Sequence, residues 1–419
     1  MITETGIGFR DFLSPKIGTK FAITFYRKIY KFSGKVRTNM KITKVEVRNM
    51  WIPMKIPYAL QKAYGTKTHT SCIIVKLHTD EGIWGLGECN PQPGFTEESA
   101  ESVKCIIGKL LAPAIIGMDP TDVGAIVKKM DLVCKGNNLP KAAIDTACYD
   151  ICGKAANMPV HKLLGGKLMD KIPIMHAIGN SDPETSAKLV LQRKQEGYTA
   201  VMIKCGAFDI GYDAERVQAV RAAVGKDFPL IVDVNQGWDY HQSLQFLRMT
   251  ENCGLTLLEQ PVPCWDIDSL ARLKNATDVP ISADESVFTT QDAMRLIEKK
   301  AVDIFSIKIN KHGGIYKAKE IVTLAKHAGI KCLMNSMLEE GIVEAASLQV
   351  GCTADNLVSF GHAYFSPLRL DDDITTYSQQ IKDGWVHVSD KPGLGIELLE
   401  EKVQRYLLDE FVITEEAAV

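Results

Sequence analysis

Short apolar runs that each end on one ionisable residue recur along the second half of this chain. They read Val201-Met202-Ile203-Lys204, Leu230-Ile231-Val232-Asp233, Leu257-Leu258-Glu259, Ile281-Ser282-Ala283-Asp284 and Ile304-Phe305-Ser306-Ile307-Lys308. By subtraction the charged ends fall 29, 26, 25 and 24 residues apart, about the length of one buried strand, one helix and two loops. The pattern predicts a repeating β/α unit. Its first strand is read at Ile172-Pro173-Ile174-Met175, its seventh at Lys331-Cys332-Leu333-Met334 and its eighth at Leu357-Val358-Ser359-Phe360. Helices are expected over roughly 182–197, 212–225, 240–253, 265–275, 290–299, 313–328 and 341–352. Eight parallel strands with intervening helices close a barrel, and residues at the strand carboxyl ends converge on one face. Three carboxylates and two lysines are expected to meet there.

Upstream the period changes. Residues 41 to about 90 alternate in strand fashion, with Ser71-Cys72-Ile73-Ile74-Val75-Lys76-Leu77-His78 and Gly85-Leu86-Gly87-Glu88 joined through the turn-forming Asp80-Glu81-Gly82. Thr96-Glu97-Glu98-Ser99 supplies capping chemistry for one helix, and Leu139-Pro140 opens another that runs through Ala143, Ala147, Ile151 and Ala155, small enough for a close neighbour. The chain thus divides into an extension over 1–39, an α+β capping domain over 40–165, a barrel over 166–370 and a returning segment over 371–419. That last segment carries Gly384-Trp385-Val386-His387-Val388 and Pro392-Gly393-Leu394-Gly395, which suits a fold back onto the capping domain.

Composition narrows the class. The 419 residues are 46% hydrophobic and 24% charged, enough to bury large cores over more than one domain. A formal net charge of −2 gives no electrostatic footprint for nucleic acid or an anionic membrane, and no apolar run approaches the ~20 residues of a bilayer span. The eleven cysteines are scattered without a Cys-x-x-Cys pair, which suits a cytoplasmic protein, and Cys148 and Cys152, one helical turn apart in an apolar helix, read as buried thiols. The first forty residues hold eight Lys/Arg against two acidic residues, but no uninterrupted apolar core or small-residue cleavage site. Because Met40 directly precedes the first recognisable strand, this stretch reads as an overlong start or a loosely attached, unstructured extension rather than a targeting peptide.

Seven motifs occur in order on the predicted strand ends and loops: Trp84-Gly85-Leu86-Gly87-Glu88, His161-Lys162-Leu163-Leu164-Gly165-Gly166, Asp233-Val234-Asn235, Glu259-Gln260-Pro261, Asp284-Glu285-Ser286, Lys308-Ile309-Asn310-Lys311-His312-Gly313-Gly314 and Pro392-Gly393-Leu394-Gly395. Together they resemble the enolase superfamily, in its muconate-lactonizing-enzyme-like branch, over residues 41 to about 400. The resemblance implies an α/β fold, a modified TIM barrel of (β/α)7β type with an N-terminal α+β capping domain whose loops close the site. It also implies a homo-oligomer.

The site residues have their own chemical logic. Asp233, Glu259 and Asp284 are hard oxygen donors on three consecutive strands, suited to an octahedral Mg2+, with Mn2+ as the alternative, and they would repel one another without a cation. Asn235 and Glu285 read as partners that orient a ligand or a lysine. Lys204 and Lys308, ending strands two and six on opposite sides of the barrel axis, form the expected acid/base pair, with a nearby cation easing loss of the proton. One departure matters: the branch usually carries Lys-x-Lys on strand two, and here the first position is Met202. That removes a positive charge beside the base, and it either makes the pocket more apolar or leaves room for a bulkier, cationic substrate; the presence of every other expected polar group argues against a decayed site. A histidine base at the end of strand seven, as in mandelate racemase, has no counterpart in Met334-Asn335-Ser336-Met337-Leu338-Glu339, where Glu339 resembles a glutamate that hydrogen-bonds a substrate oxygen. His176, His312 and His362 read as structural.

The expected reaction is Mg2+-dependent abstraction of a proton α to a carboxylate, through a metal-stabilised enediolate. Racemisation or epimerisation of an amino-acid derivative, whether a dipeptide, an N-acyl amino acid or a proline derivative, is favoured because lysines stand on both faces. Muconate-type cycloisomerisation and dehydration of an acid sugar or hydroxy acid share the same first half. A non-catalytic metal-binding scaffold is the alternative from another class. The loop from Pro57 to His69, Tyr64 included, carries two cationic and two aromatic side chains. It reads either as a wall that meets a second carboxylate or an aryl group, or as solvated surface. Tyr364 and Phe365 are expected to add an apolar wall.

Overall fold

A computed structural model describes residues 40–417, so the reading of residues 1–39 as an extension lies outside the described residues. Strand β1 (Ile42–Ala59) pairs antiparallel with β2 (Thr66–Thr79), and β2 with β3 (Trp84–Cys89). Successive residues of this sheet serve two different cores. Val45, Val47, Ile73, Val75 and Leu77 pack under the helices of the capping domain, while Met50, Ile52, Cys72, Ile74 and Leu86 face the barrel. The strand period of two makes one sheet the shared wall of both. Helix α1 (Ala100–Ile106) starts at Ser99, which forms a capping box with Ser102; α2 is Val123–Val133 and α3 is Asn138–Ala156. The small residues of α3 let β3 ride on its backbone: a Cβ at Gly87 would stand 1.7 Å from the Ala143 carbonyl oxygen, and one at Gly85 2.1 Å from that of Ala147.

Seven parallel strands follow in sequential order: β5 (Met175–Ile178), β6 (Ala200–Lys204), β7 (Leu230–Asp233), β8 (Leu257–Glu259), β9 (Ile281–Ala283), β10 (Ile304–Ile307) and β11 (Lys331–Met334). Between them lie α4 (Pro183–Gln195), α5 (Ile210–Val224), α6 (Tyr240–Met249), α7 (Ile267–Ala276), α8 (Thr290–Glu298) and α9 (Ile315–His327), with α10 (Gly341–Gly351) after β11. Asp182, Asp209, Asp239, Asp266 and Thr289 each accept a backbone N–H as N-cap, which fixes where five of these helices begin.

Two strand expectations need correction. The segment Lys171–Pro173 is not the first barrel strand but a separate strand, β4, in a small sheet with β12 (Ile381–Lys382) and β13 (Trp385–His387). Pro173 has no N–H to give a parallel ladder, and the barrel begins at Met175. The eighth strand is reduced to isolated bridges, Leu357 with Cys332 and His362 with Ile174. These still close the barrel, since Val358 N donates to the Cys332 carbonyl and Met175 N to that of His362, both at 3.0 Å. After β13 the chain forms β14 (Leu407–Thr414), which pairs along the free edge of β1. No helix among the described residues is long and apolar enough to cross a membrane.

Candidate active site

The parallel register puts the charged strand ends level. Lys204 pairs with Asp233, Asp233 with Glu259, and Glu259 with Ser282, two residues before Asp284 on the same face. Lys308 follows directly on β10. Backbone in the left-handed region follows two of these ends: Asn235 has φ 46°, Gln236 68° and Gln260 36°. Such conformations are costly for side chains other than glycine and cluster at functional sites. Gln260 is held by its own side chain, which accepts from Asp284 N at 2.9 Å and Ser286 N at 3.1 Å and donates to the Ser286 hydroxyl at 2.8 Å.

The structure brings all five ionisable residues to this face, four of them as lysine–carboxylate pairs. Lys204 Nζ donates to Asp233 and, at 3.0 Å, to Asn235 Oδ1. Lys308 donates to Asp284 Oδ2 at 2.6 Å, and Lys311 to Asp284 Oδ1 at 2.7 Å. Burial works to raise the Asp284 pKa, but the two ammonium groups outweigh it and hold the carboxyl well below the usual range. For Lys204 and Lys308 burial pulls downward, yet the adjacent carboxylates keep both ammonium groups above the ordinary value. Glu259 has no such lysine contact. Burial, Asp233 and Asp284 push its carboxyl far up, and its Oε2 is buried without a partner.

Among the described residues no three His, Cys, Asp or Glu side chains stand as a formed metal-ligand cluster, because Asp233 and Asp284 are turned to lysines. The donor set nevertheless fits a hard divalent ion: three acidic oxygen ligands on adjacent strand ends, one of them an unpartnered buried oxygen destabilised by the other two charges.

Asn235 Nδ2 donates to Glu285 Oε1 at 3.2 Å, linking the Lys204 partner to the strand-nine acid. Burial, with Asp284 and Asp233 nearby, raises Glu285 to about 7. The Tyr64 hydroxyl, from the turn between β1 and β2, donates to Glu285 Oε1 at 3.0 Å and accepts from Gln236 at 2.6 Å. Gln61 reaches the Asn235 carbonyl at 3.3 Å. Gln61 and Tyr64 thus dock the loop over the site, while Pro57, Lys62, Ala63, Gly65, Thr66 and Thr68 are exposed to solvent. Glu339 is buried, accepts from Ser336 Oγ at 2.5 Å and keeps an unpartnered Oε1. Met202 lines the cavity beside Lys204. Phe365 lines it too, but Tyr364 does not: it is wholly buried, its hydroxyl on the Ser347 carbonyl. His176 stacks on Phe365 at 4.9 Å, His312 bonds the Phe288 carbonyl and His362 that of Val358.

Three residues were not singled out from sequence. Asn335 donates to Glu259 Oε1 at 2.8 Å; its place one residue beyond β11 was the available signal. Lys311, inside a quoted motif, is the second cation on Asp284. Arg369 lines the cavity mouth, and nothing in its sequence neighbourhood marks it.

Residues 42–165 match the mandelate racemase / muconate lactonizing enzyme N-terminal domain, and residues 185–402 match the enolase C-terminal domain-like family. The N-succinyl-L-Arg/Lys racemase of Bacillus cereus is 35% identical over 366 residues, spanning 87% of this chain and 97% of the relative. Its crystal structure superposes with a TM-score of 0.86, at 34% identity, over 89% of this chain and all of that one. A chloromuconate cycloisomerase of Cupriavidus necator is 34% identical over 88% of this chain and 99% of the relative. A dipeptide epimerase of Enterococcus faecalis, crystallised with Mg and L-Leu-L-Tyr, gives a TM-score of 0.81 at 31% identity, covering 85% and 99% of the two chains.

Proposed function

Since the chain belongs to the muconate-lactonizing-enzyme-like branch of the enolase superfamily, whose relatives named above are racemases, epimerases and cycloisomerases, we propose that it abstracts the proton α to a substrate carboxylate and returns a proton to the same carbon. The products would be the racemised or epimerised amino-acid derivative. The observation that carries this reading is the pair of buried lysines, Lys204 and Lys308, on β6 and after β10, each leaning on a different member of one carboxylate trio. A divalent cation of the Mg2+ class, held by Asp233, Glu259 and Asp284, would supply positive charge for the substrate carboxylate as negative charge develops on it.

This chain's residues handle the proton. Engagement of Asp233 and Asp284 elsewhere would release Lys204 and Lys308, remove the contacts that hold their protons and leave burial to lower their pKa values. Asn235 keeps Lys204 aimed. Phe95, from the capping domain, lies 4.2 Å from Lys308 Nζ and shields it from water. Met202, where a second lysine is usual, leaves Lys204 without a flanking cation and lines its side of the cavity with thioether.

The test is solvent exchange. In deuterium oxide with Mg2+, single enantiomers of N-acyl amino acids should gain deuterium at the α-carbon. Lys204→Ala should block exchange of one enantiomer and Lys308→Ala that of the other, each by at least about a hundredfold. Loss of the same enantiomer in both variants, or a ring-closed product, would replace the two-base racemase with a one-base cycloisomerase. Full activity after chelation would sink the metal site.

A further inference from the structure

Strand β5 has a cavity on each side. Successive strand residues face opposite ways: Met175 lines the active-site cavity, whereas His176 and Ile178 line a second one behind the strand, with Leu189 and Arg193 of α4 and Met54 of β1. The rear cavity measures about 520 Å3, a size that suits a small organic ligand rather than a single ion. Its charge is one-sided. Lys55, Arg193 and Arg369 line it, and no Asp or Glu does. Three nitrogens of its wall, Arg193 Nε, Arg369 Nε and His176 Nδ1, are buried without a hydrogen-bond partner. The other contacts of these cations leave most of the charge in place. Arg193 reaches Glu196 at 2.5 Å, Arg369 the Ala177 carbonyl and Lys55 the Leu368 carbonyl at 3.2 Å, so among the described residues only Arg193 has an acid partner. Both guanidinium groups act on His176 and on Tyr198, which shows that they converge; with burial they hold the His176 imidazole neutral, well below its usual pKa.

Buried donors are normally paired, and a group of them left open at one place calls for a ligand. Water would satisfy single donors but would not offset the charge. A doubly charged oxyanion does both, because a guanidinium fork matches phosphate oxygens and such charge-assisted bonds are the strong ones. The rest of the wall is apolar, with Met54, Ile178, Leu189 and Leu368, and it suits a hydrocarbon body behind the charged head. We infer that the cavity behind β5 binds a phosphate monoester with an apolar organic group, its phosphate held between Arg193, Arg369 and His176. Arg369 also lines the active-site cavity and stacks on Tyr58 and Phe365 there, at 3.9 and 4.9 Å, so one guanidinium borders both sites. The site is independent of the reaction proposed above.

Phenyl phosphate and inorganic phosphate are the probes. Calorimetric titration into the full chain, with Mg2+ and again in EDTA, should give phenyl phosphate the same Kd in both, about tenfold tighter than inorganic phosphate. Arg193→Met should weaken phenyl phosphate by at least about tenfold. Arg193 is partly exposed and its ion pair joins residues three apart on one helix, so this variant should keep its melting temperature. Lys67→Met, at a residue that lines only the active-site cavity, should leave the affinity unchanged. A second readout needs no loss of binding: the His176 imidazole resonances, assigned by their disappearance in His176→Gln, should move when phenyl phosphate is added to the unaltered chain. Binding that requires Mg2+, or that falls with Lys67→Met and not with Arg193→Met, would put the phosphate in the active site and overturn the rear site. A still His176, or no binding at millimolar phenyl phosphate, would overturn it as well.

Discussion

Glu259 and Asp284 are buried carboxylates of the same proposed site with opposite electrostatic balances, and this separates their variants. Asp284 satisfies two buried ammonium groups, Lys308 and Lys311. Asp284→Asn leaves both without a counter-charge, and breaking a buried pair in this way costs about 3–5 kcal/mol. Glu259 instead faces like charge and has an oxygen without a partner. Glu259→Gln keeps the acceptor for Asn335 and removes an acid held among like charges, so metal-free protein should melt no earlier than the unaltered chain. Both variants should lose turnover and tight Mg2+ binding, but only Asp284→Asn should melt earlier in EDTA. Equal melting temperatures for the two would contradict this division of charge. These positions were legible because each ends an apolar strand at a regular interval. Lys311 and Asn335 were not, since their roles depend on which strand ends face one another: Asn335 and Glu259 are 76 residues apart. Arg369 sits in a four-residue helical turn, Ser366–Arg369, too short to show any period.

At the level of elements, the barrel helices were legible to within a few residues because five of the seven begin at an Asp or Thr cap, whereas the edges of sheets were not. β4 and the first barrel strand are one apolar run in sequence, divided only by the inability of Pro173 to donate. β14 was not anticipated. Its Leu407-Leu408-Asp409-Glu410-Phe411-Val412-Ile413-Thr414 is half acidic or exposed, and it becomes a strand because β1 offers an unpaired edge from Lys44 to Met50. Ending the chain at Tyr406 should therefore expose that edge, remove Ile413 from the capping-domain core and leave Asn49 and Lys104 without their Asp409 partner. The expected result is a melting temperature lower by several degrees and concentration-dependent aggregation in size-exclusion chromatography. Unchanged melting and a monodisperse profile would show that the edge needs no cover.

For the molecule as a whole, one of the contacts that tie the capping domain to the barrel is a single carboxylate. Glu88, at the end of β3, accepts from the backbone N–H groups of Glu340, Ile342 and Val343 at 2.6, 3.1 and 3.1 Å, where α10 begins. Partners 252 residues apart leave no local pattern, although the strand-ending Gly-Glu was visible in the motif. Complete burial is the dominant influence and raises the carboxyl to about 7, against the helix N-terminus that favours its charge. An unfolded glutamate titrates near ~4.3, so the folded state holds its proton more tightly. The stability this group contributes is then full below about 4.3 and is lost as pH rises through about 7. Glu88→Gln cannot titrate. The melting temperature of the unaltered protein minus that of the variant should therefore fall by a few degrees between pH 4.5 and pH 8. A difference that stays flat, or grows with pH, would mean that the helix N-terminus outweighs burial and that the latch closes on a charged carboxylate.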